Sequence, residues 1–155
     1  MDDHFKTVVA DVVGDAFQCI IGTFAVLLRG PQAKNQDGHS WLSSIEVGDG
    51  ALRVSMYFST QLATEVAAMM FAVPVSAVEG ADIEDAIGEL CSVVSGQVKV
   101  LTVPGAGIGL PQVVHGNGRD LPRADAQLLC ELPFSVGTEF LLLTIERDRY
   151  AEVAA

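Results

Sequence analysis

The stretch DAIGELCSVVSGQVK, residues 85–99, reads as a single helix that places Asp85, Glu89 and Ser92 on one face. Separations of four and then three residues stack side chains above one another on a helix surface. A carboxylate and a hydroxyl one turn apart can act together on a partner or a substrate. The same three residues also describe an ordinary solvated helix face, so the rest of the chain has to decide what they are.

Around this helix the elements follow in both directions. Asp82, Glu84 and Asp85 gather at its start, where the macrodipole favours negative charge. Upstream, STQLATEVAAMMFAV (59–73) is a second helix, N-capped by Ser59 or Thr60 and closed by Pro74. Its Leu62, Val66, Met69 and Met70 fall at helical spacing and read as a core stripe. Before it, strands at 41–47 and 52–58 flank the turn GDG (48–50), whose glycines supply the positive φ a hairpin needs. At the N-terminus, Phe5, Val8, Val9, Val12, Val13, Phe17, Ile20, Ile21 and Phe24 predict one long amphipathic helix over 3–28, ended by Gly30 and Pro31. The polar run QAKNQDGHS (32–40) reads as a loop.

Downstream, Gly105, Gly107 and Gly109 have neither the GxGxxG spacing nor the Gly-Lys-Ser/Thr of a phosphate loop. They read as a flexible turn into a strand at 111–114. Two last strands, within 126–135 and 138–147, surround Gly137, and Pro133 marks the first of them as an edge or bulged strand. The order α-β-β-α-α-β-β-β predicts a single α+β domain over 1–150, a mostly antiparallel sheet covered by helices, with a C-terminal tail at 151–155.

Composition narrows the function. The 155 residues suit one domain with one core. Half of them are hydrophobic and only 19% charged, which leaves apolar surface for self-association. The longest apolar region, AFQCIIGTFAVLL (16–28), contains Gln18 and Thr23 and stops at Arg29, short of the ~20 residues a membrane span needs. MDDHFK, at the start, is acidic where a signal peptide is basic, and a cytoplasmic location is expected. The net charge of −11 repels phosphate backbones, so nucleic acid is not an expected partner. A partner that brings a lysine or arginine to an acidic face fits better. Cys19, Cys91 and Cys130 are odd in number, far apart and set in apolar segments, and read as reduced, buried thiols. His4, His39 and His115 share no ligand spacing and read as solvent-facing or loop residues, so no metal site is expected. No nucleophile motif links serine, histidine and aspartate.

GELCSVVSGQVK (88–99), preceded by Asp85 and followed by LPQVVHG (110–116), resembles the signature of the CheX and CheC/FliY chemotaxis phosphatases, CheX-type domains most closely. The family pattern is an acidic residue or serine, a glutamate four residues on, an asparagine three further, and a downstream proline. Asp85, Glu89 and Pro111 match it, and Gly96 and Lys99 are also kept. Ser92 stands where the family has asparagine, Gln97 where many members have a second one, and the gap to Pro111 is shortened.

The resemblance implies a CheY-like response regulator, phosphorylated on aspartate, as partner. Mg2+ and a lysine would lie in that partner's own site, and the chain would need no cofactor of its own. Asp85, Glu89 and Pro111 would touch the partner, with Glu89 pairing with its lysine. Glu89 and Ser92 would be the catalytic pair, Ser92 placing the attacking water. A hydroxyl donates and accepts as an amide does, from a shorter stem. Gln97 lies about 140° further around the helix and cannot take its place. Two functions follow: a slow aspartyl-phosphate phosphatase, or a docking or dimerisation module that has lost hydrolysis. The resemblance also implies a homodimer formed across sheet edges.

Overall fold

A computed structural model describes residues 1–29, 38–116 and 126–149. The described elements are α1 (Asp3–Ala16), β1 (Ala25–Leu27), β2 (His39–Val47), β3 (Leu52–Ser59), α2 (Thr60–Phe71), α3 (Gly80–Thr102), β4 (Gln112–His115), β5 (Ala126–Val136) and β6 (Glu139–Asp148). The six strands form one sheet in the order β1-β5-β6-β3-β2-β4, every neighbour antiparallel. The expected single α+β domain, an antiparallel sheet covered by helices, is what the chain forms. Of the loop expected at 32–40, residues 32–37 lie outside the described residues, as does the tail at 151–155; His39 and Ser40 already belong to β2.

Alternation along the strands sets the core. Leu52, Val54, Met56 and Phe58 of β3 are buried on one face, beside Leu141, Leu143 and Ile145 of β6. The three helices cover this face and close a single apolar cluster with it. Ser59 caps α2 by accepting from the Leu62 amide at 3.1 Å, and its hydroxyl donates to Glu139 at the start of β6 at 2.6 Å. The helix start is thereby tied to the sheet as well as capped.

The N-terminal helix is shorter than its periodicity predicts. Asp2 caps α1, which passes into a π-helical turn over Phe17–Ile21 and stops at Gly22, where φ is +73°. The Gly22 amide bonds to the Phe17 and Gln18 carbonyls, the glycine stop that ends many helices. The chain then leaves as β1 and pairs with residues 134–136 of β5, a strand absent from the sequence reading. Apolar spacing alone could not locate the break, because Ala25 and Leu27 satisfy a strand as well as a helix. β5 is bulged between Leu128 and Cys130. Pro133 costs it no bond to β6: its carbonyl accepts from the Leu28 amide on the β1 side, so its missing N–H lies on that side too. The final strand before β5 is also shifted, running from Gln112 to His115 and not from Pro111.

Cys91 and Cys130 are buried, but Cys19 is exposed, because it falls on the outer side of the π turn. The Cys91 thiol donates to the Ser43 carbonyl of β2 at 3.5 Å and lies 3.8 Å from the Ser95 hydroxyl. Burial outweighs these hydrogen bonds and pushes the thiol from its ordinary 9.0 up to about 11. The fold therefore favours the protonated thiol, and the resulting stabilisation is intact below pH 9.0 and lost as pH rises through about 11. In urea denaturation, the stability difference between wild type and Cys91→Ala should shrink between pH 8 and 11, by roughly 2 kcal/mol. An unchanged difference would show that the thiol titrates alike folded and unfolded.

Candidate functional site

The site begins with how α3 is launched. Glu79 is its N-cap in a reciprocal capping box, the Glu79 amide donating to the Asp82 carboxylate at 2.9 Å. From there α3 turns Ile87, Leu90, Val94 and Val98 into the core, each fully buried. Asp85 and Glu89 are left exposed on the outer side, as expected. Ser92 is not: it is half-buried at the border of the two faces.

Three small residues let α3 sit close to the sheet. Cys91 and Ser95 are both fully buried, and the Cys91 thiol reaches the Ser43 carbonyl of β2. At Gly88 an added Cβ would stand 3.3 Å from Pro111 Cγ and 3.8 Å from Val113. Glycine is needed here for close approach, since Pro111 occupies the space a side chain would take.

The glycine-rich segment that carries Pro111 to this place is not a flexible turn. The Gly48 amide donates to the Gly107 carbonyl at 2.9 Å, and the Gly109 amide to the Glu46 carbonyl at 2.8 Å. Val47 and Ile108 form an antiparallel bridge between them. A Cβ on Gly109 would lie 3.3 Å from the Glu46 carbonyl oxygen, a tight contact that glycine avoids as the chain runs against β2. This stitching lets the shortened gap reach β4 directly, delivering Pro111 onto α3.

The result is a shallow cleft of about 480 Å³ between α3 and β4, lined by Glu84, Asp85, Gly88, Glu89, Pro111 and Val113. It brings together Asp85, Glu89 and Pro111, while Ser92 lies outside it, one turn along α3. Glu84 and Val113 were missed as lining residues. Glu84 had been noted only for its charge at the helix start, and Val113 only as strand. Among the described residues none of the three carboxylates is in an ion pair, so the cleft presents uncompensated negative charge. Among the described residues no group of His, Cys, Asp or Glu is arranged to hold a metal ion. His115, at the far end of β4, is exposed but stacked on Trp41, with ring centroids 4.0 Å apart and planes 12° from parallel. No described helix is long and apolar enough to cross a membrane.

The antiparallel sheet with its covering helices is a fold shared with solved chemotaxis proteins. The chain belongs to the CheX family: the family model described as Chemotaxis phosphatase CheX matches residues 45–135, more than half of the chain. Among curated proteins, none matches significantly by sequence. Among solved structures, a CheC-like superfamily protein from Shewanella sp. PV-4 superposes with a TM-score of 0.71 at 19% identity, covering 94% of this chain and 98% of that one. The chemotaxis protein CheX from Desulfovibrio desulfuricans gives 0.68 at 16% identity, with 92% and 97% covered. The CheX-CheY-BeF3-Mg2+ complex from Borrelia burgdorferi gives 0.67 at 14%, again with 92% and 97% covered. At such identities these likenesses establish a shared fold.

The contact between Gly88 and Pro111 is directly testable. Gly88→Ala should destabilise the protein by about 1 kcal/mol or more in urea denaturation, because the packed proline must give way. A more stable Gly88→Ala, as an unencumbered helix glycine would give, would show that the segment at 109–111 is not held against α3.

Proposed function

We propose that this chain docks a CheY-like response regulator through the outer face of α3 and slowly hydrolyses its aspartyl phosphate. The observation that carries this reading is the exposed pair Asp85 and Glu89 on the family's motif helix, lining one cleft with Pro111. Unpaired carboxylates at the rim of a cleft suit a partner that presents a lysine beside its phosphorylated aspartate. Glu89 pairs with that lysine, while Asp85 and Pro111 complete the contact. Mg2+ and the reacting phosphoryl group belong to the partner. Water adds to phosphorus, the acyl P–O bond breaks, the partner regains its aspartate carboxylate and inorganic phosphate leaves. The contribution of this chain is position, which dominates catalysis of phosphoryl transfer. Ser92, whose hydroxyl can both donate and accept, holds the water.

The half-buried setting of Ser92 favours a second reading, in which the chain docks the regulator without hydrolysing its phosphate. A short side chain at the border of the face reaches less far toward a partner than an asparagine would.

A homodimer through a sheet edge belongs to the same proposal. β1 accompanies β5 over only three positions, and among the described residues the outer edge of residues 126–132 has no strand partner. Such an edge invites pairing with a second copy. Light scattering should give twice the chain mass; a strict monomer at high concentration would remove this part of the proposal.

One experiment separates the readings: phosphate release from phosphorylated response regulators of the same cell, with wild type, Ser92→Asn, Ser92→Ala and Glu89→Lys at matched concentration. Ser92→Asn should be roughly 100-fold faster than wild type, the scale on which small misplacements act. Ser92→Ala should lose the slow activity, and Glu89→Lys should lose both binding and activity. Wild type and Ser92→Ala equally fast would exclude Ser92 as the water-placing group. Equal binding by wild type and Glu89→Lys would exclude the docking role.

A further inference from the structure

We infer that the docking face continues beyond the carboxylates along α3, over Val93, Gly96 and Val100, and that an apolar element of the same response regulator lies across this stripe. The inference rests on α3 being the regulator's docking helix. Glu89, Val93, Gly96 and Val100 follow at intervals of four, three and four residues, the spacing that keeps positions on one line of a helix. Val93 is 37% exposed and Val100 61%, whereas Val94 and Val98 are fully buried on the opposite side. Along this line the second half of α3 is therefore apolar toward solvent as well as toward the sheet, with exposed Gln97 and half-buried Lys99 flanking it. A helix packed on one face ordinarily turns polar residues outward.

Gly96 sharpens the point. A glycine within a helix is less stable than alanine, because its backbone loses more freedom on folding. At Gly88 the approach of Pro111 explains the absent side chain. Among the described residues nothing lies within 4 Å of the position a Cβ on Gly96 would take, and its φ is not among the positive ones. None of the described residues requires the missing side chain. Between two exposed valines it makes a notch where another molecule can approach the helix backbone closely.

Continuity and charge identify that molecule. The stripe runs on from Asp85 and Glu89, so one partner surface covers both. A second copy would bring its own cluster of Glu84, Asp85 and Glu89 toward a chain already at −11. Charge favours a different protein, cationic where it meets Glu89 and apolar further along α3.

Gly96→Ala distinguishes a docking role from a structural one. Its melting temperature should rise by a few degrees, since alanine is the better helix former and the site is open. Its affinity for a BeF3-activated response regulator with Mg2+, measured by isothermal titration calorimetry, should fall about tenfold as the notch fills. Val100→Ser should weaken binding by about the same factor at an unchanged melting temperature. If Glu89→Lys abolishes binding while Gly96→Ala and Val100→Ser bind like wild type, the stripe is not part of the contact and the inference falls, with the docking reading intact. If Val100→Ser loses a wild-type dimer but still binds the regulator normally, the stripe belongs to a second copy and the inference falls equally. A wild type that binds none of the response regulators of its cell overturns both.

Discussion

The close seating of α3 on the sheet is the constraint from which the rest of the molecule follows. Gly88, Cys91 and Ser95 are small residues at successive turns: Gly88 lies against the segment entering β4, Cys91 against β2, and Ser95 is fully buried beside Cys91. The Cys91 thiol, bonded to the Ser43 carbonyl, acts as a peg that fixes the rotation of the helix as well as its height. Once that rotation is set, Ile87 and Leu90 have to enter the core and Asp85 and Glu89 have to face out. Each fully buried aliphatic side chain contributes about 2 kcal/mol to holding the setting. The direction of the carboxylates is therefore decided by the opposite side of the helix, through residues that no partner touches.

Much of this was legible in the sequence, and most of the failures fall where contacts distant in the chain decide. The motif helix, α2 and the hairpin at residues 48–50 were readable as elements because local spacing and turn chemistry specify them, but Met69, expected in the core stripe of α2, is 60% exposed. The break at Gly22 was not, because β1 gains its stability from β5, far along the chain. The glycines at 105, 107 and 109 suggested looseness by composition, yet their order comes from Glu46 and Gly48 across a tertiary contact. Cys19 was misjudged because a π turn shifts which residues face inward, and an apolar run carries no sign of one. In the cleft, the resemblance pointed to Asp85, Glu89 and Pro111, whereas Glu84 and Val113 enter only through the meeting of two elements. Ser92 lies at the border of a helix face, where spacing cannot separate exposed from half-buried.

Under the proposed function the labour is divided unequally. The chain supplies negative charge, shape and a hydroxyl, and the partner supplies the metal, the lysine and the bond to be broken. A surface without a reactive group of its own gains selectivity from docking alone, since it can act only where a second active site is already assembled. That suits a pathway in which the signal is the partner's phosphoryl group and its lifetime is the quantity to be adjusted.

The order of strands also governs when the protein can become itself during synthesis. Leu27 pairs with Phe134, and β3 lies between β2, its neighbour in sequence, and β6, among the last elements of the chain. An emerging polypeptide can form the β2–β3 hairpin and the helices early. The other side of β3 must wait for β6, and β1 must wait for β5. Until those arrive, the apolar residues of α1 and β1 have no sheet to cover. Native assembly is thus deferred until β5 and β6 have emerged, with the slow search that distant pairings impose. A chain half apolar in composition has reason to carry its large negative charge through that interval, as electrostatic insurance against meeting another unfinished copy.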